Sequence, residues 1–293
     1  MAEEQRGRFS LWREPQGFDA ERARTLAEGA LERRGRSEDE VRARAAYLDL
    51  LAVAPGERVL DVGCGSGVVT RDLARRVAPG GRAVGLDPSP ALLAVAGELA
   101  AAAGLAGDMA WRVGDARALP FDDGAFDAAL AVTTLCHIPD GERAIPELVR
   151  VVRPGGRVGV FDRDNDTYII AHPDRALTRR IVAAGSDHTT VDGWLIRRLP
   201  RLLRQAGLAD VRVRAFASVE QDPAGFYATN AGARWADVAV QVGAITEAER
   251  RRWVADLEAE AVAGGFVAGL THLFVWGTRP VAEAAGGTVL LPR

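Results

Sequence analysis

The stretch Val59–Val69, VLDVGCGSGVV, packs three glycines into five positions behind an aspartate. The apolar residues at its start read as a short buried strand, and VVTRDLARRV after it as a helix. A strand, a glycine loop and a helix together let backbone approach a bound nucleotide closely. A dinucleotide fingerprint, G-x-G-x-x-G, is a poor match. Gly63, Gly65 and Gly67 are spaced G-x-G-x-G, and Val68 stands where the third fingerprint glycine belongs. A P-loop ends in Gly-Lys-Ser/Thr, and this chain has no lysine. Asp61 points elsewhere: a carboxylate at a strand end repels a diphosphate and attracts a cation. Its alternative role is to cap the loop or helix.

Outward from this loop the chain alternates. RAVGLD, MAWRVGDA, FDAALAVTTL and RVGVFD read as further strands, separated by the helical patterns SPALLAVAGELAAAAG and GERAIPELVRVV and by turns. Strands alternating with helices imply βαβ units and a parallel sheet. Residues 164–206 read as mostly helical; ADVRVRAFASV and GLTHLFVWGTRP read as two late strands around a helical insertion that includes TEAERRRWVADLEAEAV. Near the start, DAERARTLAEGALERRG has helical spacing, and RSEDEVRARAAYLDLLAV is a helix with Ser37 as N-cap and Glu40 three residues on. The expected organisation is N-terminal cap helices over 1–45, a Rossmann-like core over 46–165, a helical cap and acceptor segment over 166–206, the last two strands with their insertion over 207–280, and a tail over 281–293.

With these motifs in order, the chain resembles the class I S-adenosylmethionine (SAM)-dependent methyltransferases, in particular the ubiquinone/menaquinone-methyltransferase-like group that acts on small molecules. VLDVGCGSG resembles the family's first motif, AVGLDPSP its second-strand motif, VGDARALPF its third and FDAALAVTTLCHIPD its fourth, and LVRVVRPGGRVGV resembles the helix, turn and strand that follow. The resemblance is close over residues 45–165 and holds elsewhere only by strand order. It implies a doubly wound α/β fold: a seven-stranded sheet ordered 3-2-1-4-5-7-6, the last strand antiparallel, with a helical cap. SAM is the implied cofactor. Asp61, Gly63, Cys64 and Gly65 would form the glycine-loop side of its site, and Asp87 with Pro88 the ribose side. Asp115 and Ala116 would read the adenine, and Thr133 would lie beside the methionine part. The implied function is methyl transfer to oxygen or carbon of a small, partly hydrophobic acceptor, such as a quinone-like or specialised metabolite. Two rivals are a SAM-binding fold repurposed for non-methylating chemistry such as a cyclisation, and a non-catalytic SAM-binding module.

A hydroxyl acceptor needs a base, and histidine suits that task near neutral pH. His137 follows the fourth strand, where the methyl should emerge, and His188 lies in the segment where this family grips its substrates; both are candidate catalytic residues. Phe18, Tyr168, Trp194 and Tyr227 are candidate acceptor contacts outside the shared motifs, with packing as their alternative role. FDRDNDT holds Asp162, Asp164 and Asp166, but Thr167 and Pro173 occupy the positions where a calcium loop needs glycine and glutamate, so no metal is expected. The acids more simply line the acceptor mouth.

Composition narrows the partners. The 293 residues carry a formal net charge of −3, which gives no global basic field for nucleic acid or an anionic membrane. No apolar run is long enough for a membrane span, and the N-terminus lacks a signal-peptide core. A cytoplasmic protein is expected, with a small-molecule substrate; a homodimer is compatible with the sequence. Two cysteines, Cys64 and Cys136, exclude a disulfide framework. Arginine in place of every lysine fits a GC-rich bacterial genome.

Overall fold

A computed structural model describes residues 7–222, 224–225 and 233–281. In chain order its main elements are α1 (Ala20–Leu26), α2 (Glu38–Leu50), β1 (Arg58–Val62), α3 (Val68–Val77), β2 (Arg82–Asp87), α4 (Pro90–Ala102), β3 (Met109–Val113), β4 (Phe126–Val132), α5 (Ala144–Val151) and β5 (Val152–Ile170). They continue with α6 (Arg175–Thr189), α7 (Leu195–Gln205), β6 (Ala209–Glu220), α8 (Ala233–Gln241), α9 (Glu247–Val262) and β7 (Ala268–Thr278).

The seven strands form one sheet in the order β3-β2-β1-β4-β5-β7-β6. β1 pairs in parallel with β2 and β4, β2 with β3 and β4 with β5, whereas β7 runs antiparallel to both β5 and β6. This is the sheet order that the resemblance implied. The order reverses between β1 and β4, and in such sheets ligands bind beyond the strand ends at the reversal.

Strand periodicity places the side chains. In β1, Leu60 and Val62 join one apolar layer, with Ile145 and Leu148 of α5 and Leu195, Leu199 and Leu203 of α7. Val59 faces the opposite layer, with Tyr47 and Leu48 of α2 and Leu73 and Val77 of α3. Alternation therefore turns Asp61 toward α3. A third cluster joins Tyr168, Leu177 and Ile181 to Trp235 and Trp253 of the insertion helices. A fourth seats Phe18, Ala23 and Ala27 on Leu92 and Val95 of α4.

One feature departs from the sequence reading. The strand expected over RVGVFD extends to Ile170, with a register shift between Asp164 and Ile169, because β7 offers it an antiparallel partner along nearly its whole length. GSDHTT, in the segment read as mostly helical, forms the last part of α6, where Trp235 packs on Gly185. No helix among the described residues is long and apolar enough to cross a membrane.

Candidate cofactor and acceptor site

The glycine loop bends through left-handed backbone, with φ of +74° at Gly63 and +54° at Gly65. A Cβ at Gly63 would lie 2.2 Å from the Thr134 side chain, so no other residue fits that turn. Three hydrogen bonds tie the loop to β2: the Leu86 carbonyl accepts the N–H groups of Gly63 at 2.7 Å and Cys64 at 3.0 Å, and the Asp87 carboxylate accepts the N–H of Gly65 at 3.0 Å. The other Asp87 oxygen accepts the N–H of Ser89 at 2.9 Å. Asp61 is 1% exposed and accepts a 2.6 Å hydrogen bond from the Thr70 hydroxyl, in the first turn of α3. It is thus tied to the start of α3 while also lining the cavity described below.

Burial of these two carboxylates disfavours their charged forms. Asp61 is pushed up to about 7, against the Thr70 hydrogen bond. Asp87 is pushed up to about 6, against the two backbone N–H groups it accepts. Asp115 behaves oppositely. It is more exposed, and its hydrogen bonds with Arg117 hold it below the ordinary carboxylate range. A cationic ligand placed between Asp61 and Asp87 would restore their charge.

Thr133, just past β4, has φ of +49°, a strained conformation for a β-branched residue. Its N–H bonds the Phe161 carbonyl at 2.7 Å, and its hydroxyl accepts a 2.8 Å bond from Arg34. Arg34 belongs to the N-terminal segment, which roofs the loop. From α1 the chain widens through a π-helical turn, Ala27–Glu32, a form frequent at functional sites. Glu32 takes paired 2.8 Å bonds from Arg71 and a 2.7 Å bond from the Ser66 hydroxyl, all buried. A Cβ on Gly65 would meet Leu31 at 2.8 Å, so the roof rests on the loop itself.

A cavity of about 940 Å³ opens between roof and strand ends. All of the residues expected to hold cofactor line it: Asp61, Gly63, Cys64, Gly65, Asp87, Pro88, Asp115, Ala116 and Thr133. It continues past Thr133 to His137, Ser10, Trp12, Arg34, Glu40 and Tyr47. Of the candidate catalytic histidines, His137 lines the cavity, while His188 is buried at the end of α6 and lines neither this cavity nor its neighbour. That neighbour, about 790 Å³, is lined by Tyr168 and Trp194 and shares Val191, Asp192 and Arg198 with the first. Phe18 lies in the core under an Arg22 guanidinium, away from both cavities. Tyr227 lies outside the described residues. Ser10, Arg34, Glu40 and Tyr47 escaped the sequence reading because they reach the site only through tertiary packing; the aromatic island FSLW in a charged N-terminus was the available signal.

His137 has a defined tautomer. Arg163 approaches its Nε2 at 3.2 Å and Ser10 Oγ its Nδ1 at 3.3 Å. A guanidinium only donates, so Nε2 is the acceptor and the ring proton sits on Nδ1. Burial, then the charges of Arg163, Arg34 and Arg234, hold His137 well below the ordinary histidine range. The aspartates of FDRDNDT are separately engaged. Asp162 accepts the N–H of Cys136, Asp164 takes two bonds from Arg197, and Asp166 accepts from Ser186. Among the described residues no cluster of three metal-ligating side chains occurs.

Three strand-end acids, an unhindered glycine backbone and the absence of a phosphate clamp suit a nucleoside that carries positive charge rather than phosphate. The sheet order and the glycine loop are those expected of a class I SAM-dependent methyltransferase domain. Residues 60–160 match the sequence family described as a methyltransferase domain. Over 78% of this chain and 64% of the relative, it is 32% identical to an uncharacterised 37.1 kDa protein in a transposon of Streptomyces fradiae. Over 38% of this chain and 48% of the relative, it is 43% identical to a 2-phytyl-1,4-naphtoquinone methyltransferase of Synechococcus elongatus. The chain thus spans roughly half to two-thirds of these relatives' own lengths. The solved structure of the YcgJ protein from Bacillus subtilis shares the fold, with a TM-score of 0.55 and 18% identity over 83% of this chain and all of that one.

Proposed function

We propose that the protein transfers a methyl group from SAM to a small, partly hydrophobic acceptor of the quinone-like or specialised-metabolite kind. The observation that carries this reading is the single cavity running from Asp87 and Asp115 to His137: at about 940 Å³ it has room for a nucleoside cofactor and a small acceptor side by side. SAM, when bound, supplies an electrophilic methyl on a positively charged sulfur. The chain supplies position and desolvation. Asp87 and Asp115 would fix the nucleoside end, Asp61 and the glycine-loop backbone the amino-acid end, and Thr133 the turn past which the methyl group faces the acceptor. The N-terminal roof and Tyr47 exclude water from that space. Trp12, edge-on to His137 with ring centroids 6.3 Å apart, offers an aromatic wall to an acceptor ring. The negative net charge and the enclosed cavity favour a small molecule over nucleic acid, and a bacterial, cytoplasmic biosynthetic role is consistent with both. Calorimetric titration with SAM, followed by acceptor-dependent formation of S-adenosylhomocysteine, tests the reading. Tight SAM binding with the acceptor converted and no S-adenosylhomocysteine formed would replace it with a non-methylating reaction.

A further inference from the structure

His137 is the one histidine on the cavity wall among the described residues, yet its basic nitrogen is already taken. Nε2 accepts from Arg163, and Nδ1 carries the proton toward Ser10. Three titratable groups on the same wall, Glu40, Asp61 and Tyr47, and Asp162 beside Cys136 are also unsuited to act as the base. Glu40 lies 3.9 Å from Arg34 and 3.8 Å from His272. Asp162 accepts the N–H groups of Cys136 and Arg163, Asp61 is bonded by Thr70, and burial pushes the Tyr47 phenol up, away from ionisation.

Positive charge, by contrast, gathers around His137 from three separate elements, with Arg34 on the cavity wall and Arg163 and Arg234 lining neither cavity. Arg34 reaches Thr133 from the roof at 2.8 Å. Arg163, on β5, reaches His137 and also the Tyr168 phenol. Arg234, on α8, bonds the carbonyl of Phe9, next to Ser10. Arg34, Arg163 and Arg234 all act on His137 and on Tyr168, and Arg163 also depresses Arg234, whose pKa is lowered first by burial.

We propose that the acceptor carries an oxyanion, a carboxylate or an ionised phenol or enol, and that Arg34 on the cavity wall receives it beside His137, with Arg163 and Arg234 adding positive charge from behind that wall, in place of a general base. This rests on the methyl-transfer reading. An acceptor that arrives ionised needs no proton removed before the methyl moves. Its oxygen, or the carbon conjugated with it, forms the new bond to the methyl carbon as the sulfur–methyl bond breaks and its electron pair returns to sulfur. Where carbon is the acceptor, the proton displaced from that carbon leaves afterwards to solvent.

The test is calorimetry on the full chain saturated with S-adenosylhomocysteine. The probes are two matched pairs at about pH 8, above the pKa of the acidic member: 2-naphthoate against 2-naphthamide, and 2,4-dinitrophenolate against 2,4-dinitroanisole. The anion of at least one pair is expected to bind about tenfold or more tightly than its neutral partner. Selectivity in the first pair identifies a carboxylate acceptor, in the second an ionised hydroxyl. Arg163→Gln and Arg34→Gln should each reduce the selectivity, and Arg163→Lys should keep most of it, with S-adenosylhomocysteine affinity unchanged in Arg163→Gln. Equal or weaker anion binding in both pairs by the unsubstituted protein overturns the proposal, as does selectivity that survives both Gln substitutions. Anion selectivity without any binding of S-adenosylhomocysteine would instead overturn the methyl-transfer reading and leave the anion site standing.

Discussion

The Asp87 carboxylate accepts the backbone N–H of Gly65 at 3.0 Å, so the end of β2 holds the glycine loop that follows β1 in shape. Asp87 thus has two tasks: it braces the loop, and it lines the cavity where a ribose would need an acceptor. Asp87→Ala should remove both. A charge-assisted hydrogen bond contributes roughly 1.5–3 kcal/mol, so SAM affinity should fall about ten- to a hundredfold. Calorimetry that finds unchanged affinity would show that neither task matters for binding.

Cofactor binding should depend on pH with a definite sign. Asp61 and Asp87, raised by burial to about 7 and about 6, are partly protonated in the free protein at neutral pH. A bound cation favours their ionised forms and lowers both values. Affinity for SAM should therefore rise as pH increases through about 6 to 7 and level off above that window. An affinity that falls, or stays flat, across the window would contradict the placement of the cation near these acids.

The same shift bears on folding. A carboxyl raised above its unfolded value takes up protons on folding, so it lowers stability as pH rises from its unfolded value toward 7. Asp61→Asn removes that cost while keeping an oxygen for Thr70. The free variant should melt at a higher temperature than the parent at about pH 8, by about 2–4 °C for each kcal/mol regained, and should bind SAM more weakly. Thermal melts with a lower midpoint would mean that the carboxylate is held by partners stronger than its desolvation.

The roof is fastened by buried charge. Glu32 is 6% exposed and joins Arg71 and Ser66. Removing one partner strands the other, at a cost of about 3–5 kcal/mol. Glu32→Ala should speed amide exchange across residues 20–36 and 63–67 and increase the dissociation rate of SAM, while the central strands stay protected. Exchange that accelerates uniformly would indicate global destabilisation rather than a loosened roof.

How much of this could be read from the sequence follows from how local each signal is. The glycine spacing and the acids at 61, 87 and 115 sit within a few residues of their strand ends, so they were legible as motifs, and the sheet order followed from the resemblance those motifs carry. The acceptor half depends on residues brought together across the chain. Arg34, Arg163 and Arg234 lie far apart in sequence, and no periodicity predicts that their charges all act on His137. The extension of β5 to Ile170 was hidden because its pairing partner, β7, lies about a hundred residues downstream. His188 was a candidate for its place in the acceptor segment, and only the packing of α6 buries it.

That burial gives a contrasting pair of substitutions. His188→Ala should leave turnover within a few-fold of the parent, because His188 lines neither cavity. His137→Ala removes the wall residue that anchors Arg163 and, by misplacing the acceptor, should lower turnover by at least about tenfold. Steady-state rates with the reverse ranking would return His188 to the chemistry.

The most direct test of methyl transfer is mass spectrometry of one reaction mixture containing the protein, SAM and a panel of reduced naphthoquinones lacking a ring methyl. The account predicts an acceptor heavier by one methylene group and S-adenosylhomocysteine in equal amount, both abolished or strongly reduced by Asp87→Ala. A converted acceptor of unchanged mass, with SAM recovered intact, would contradict it.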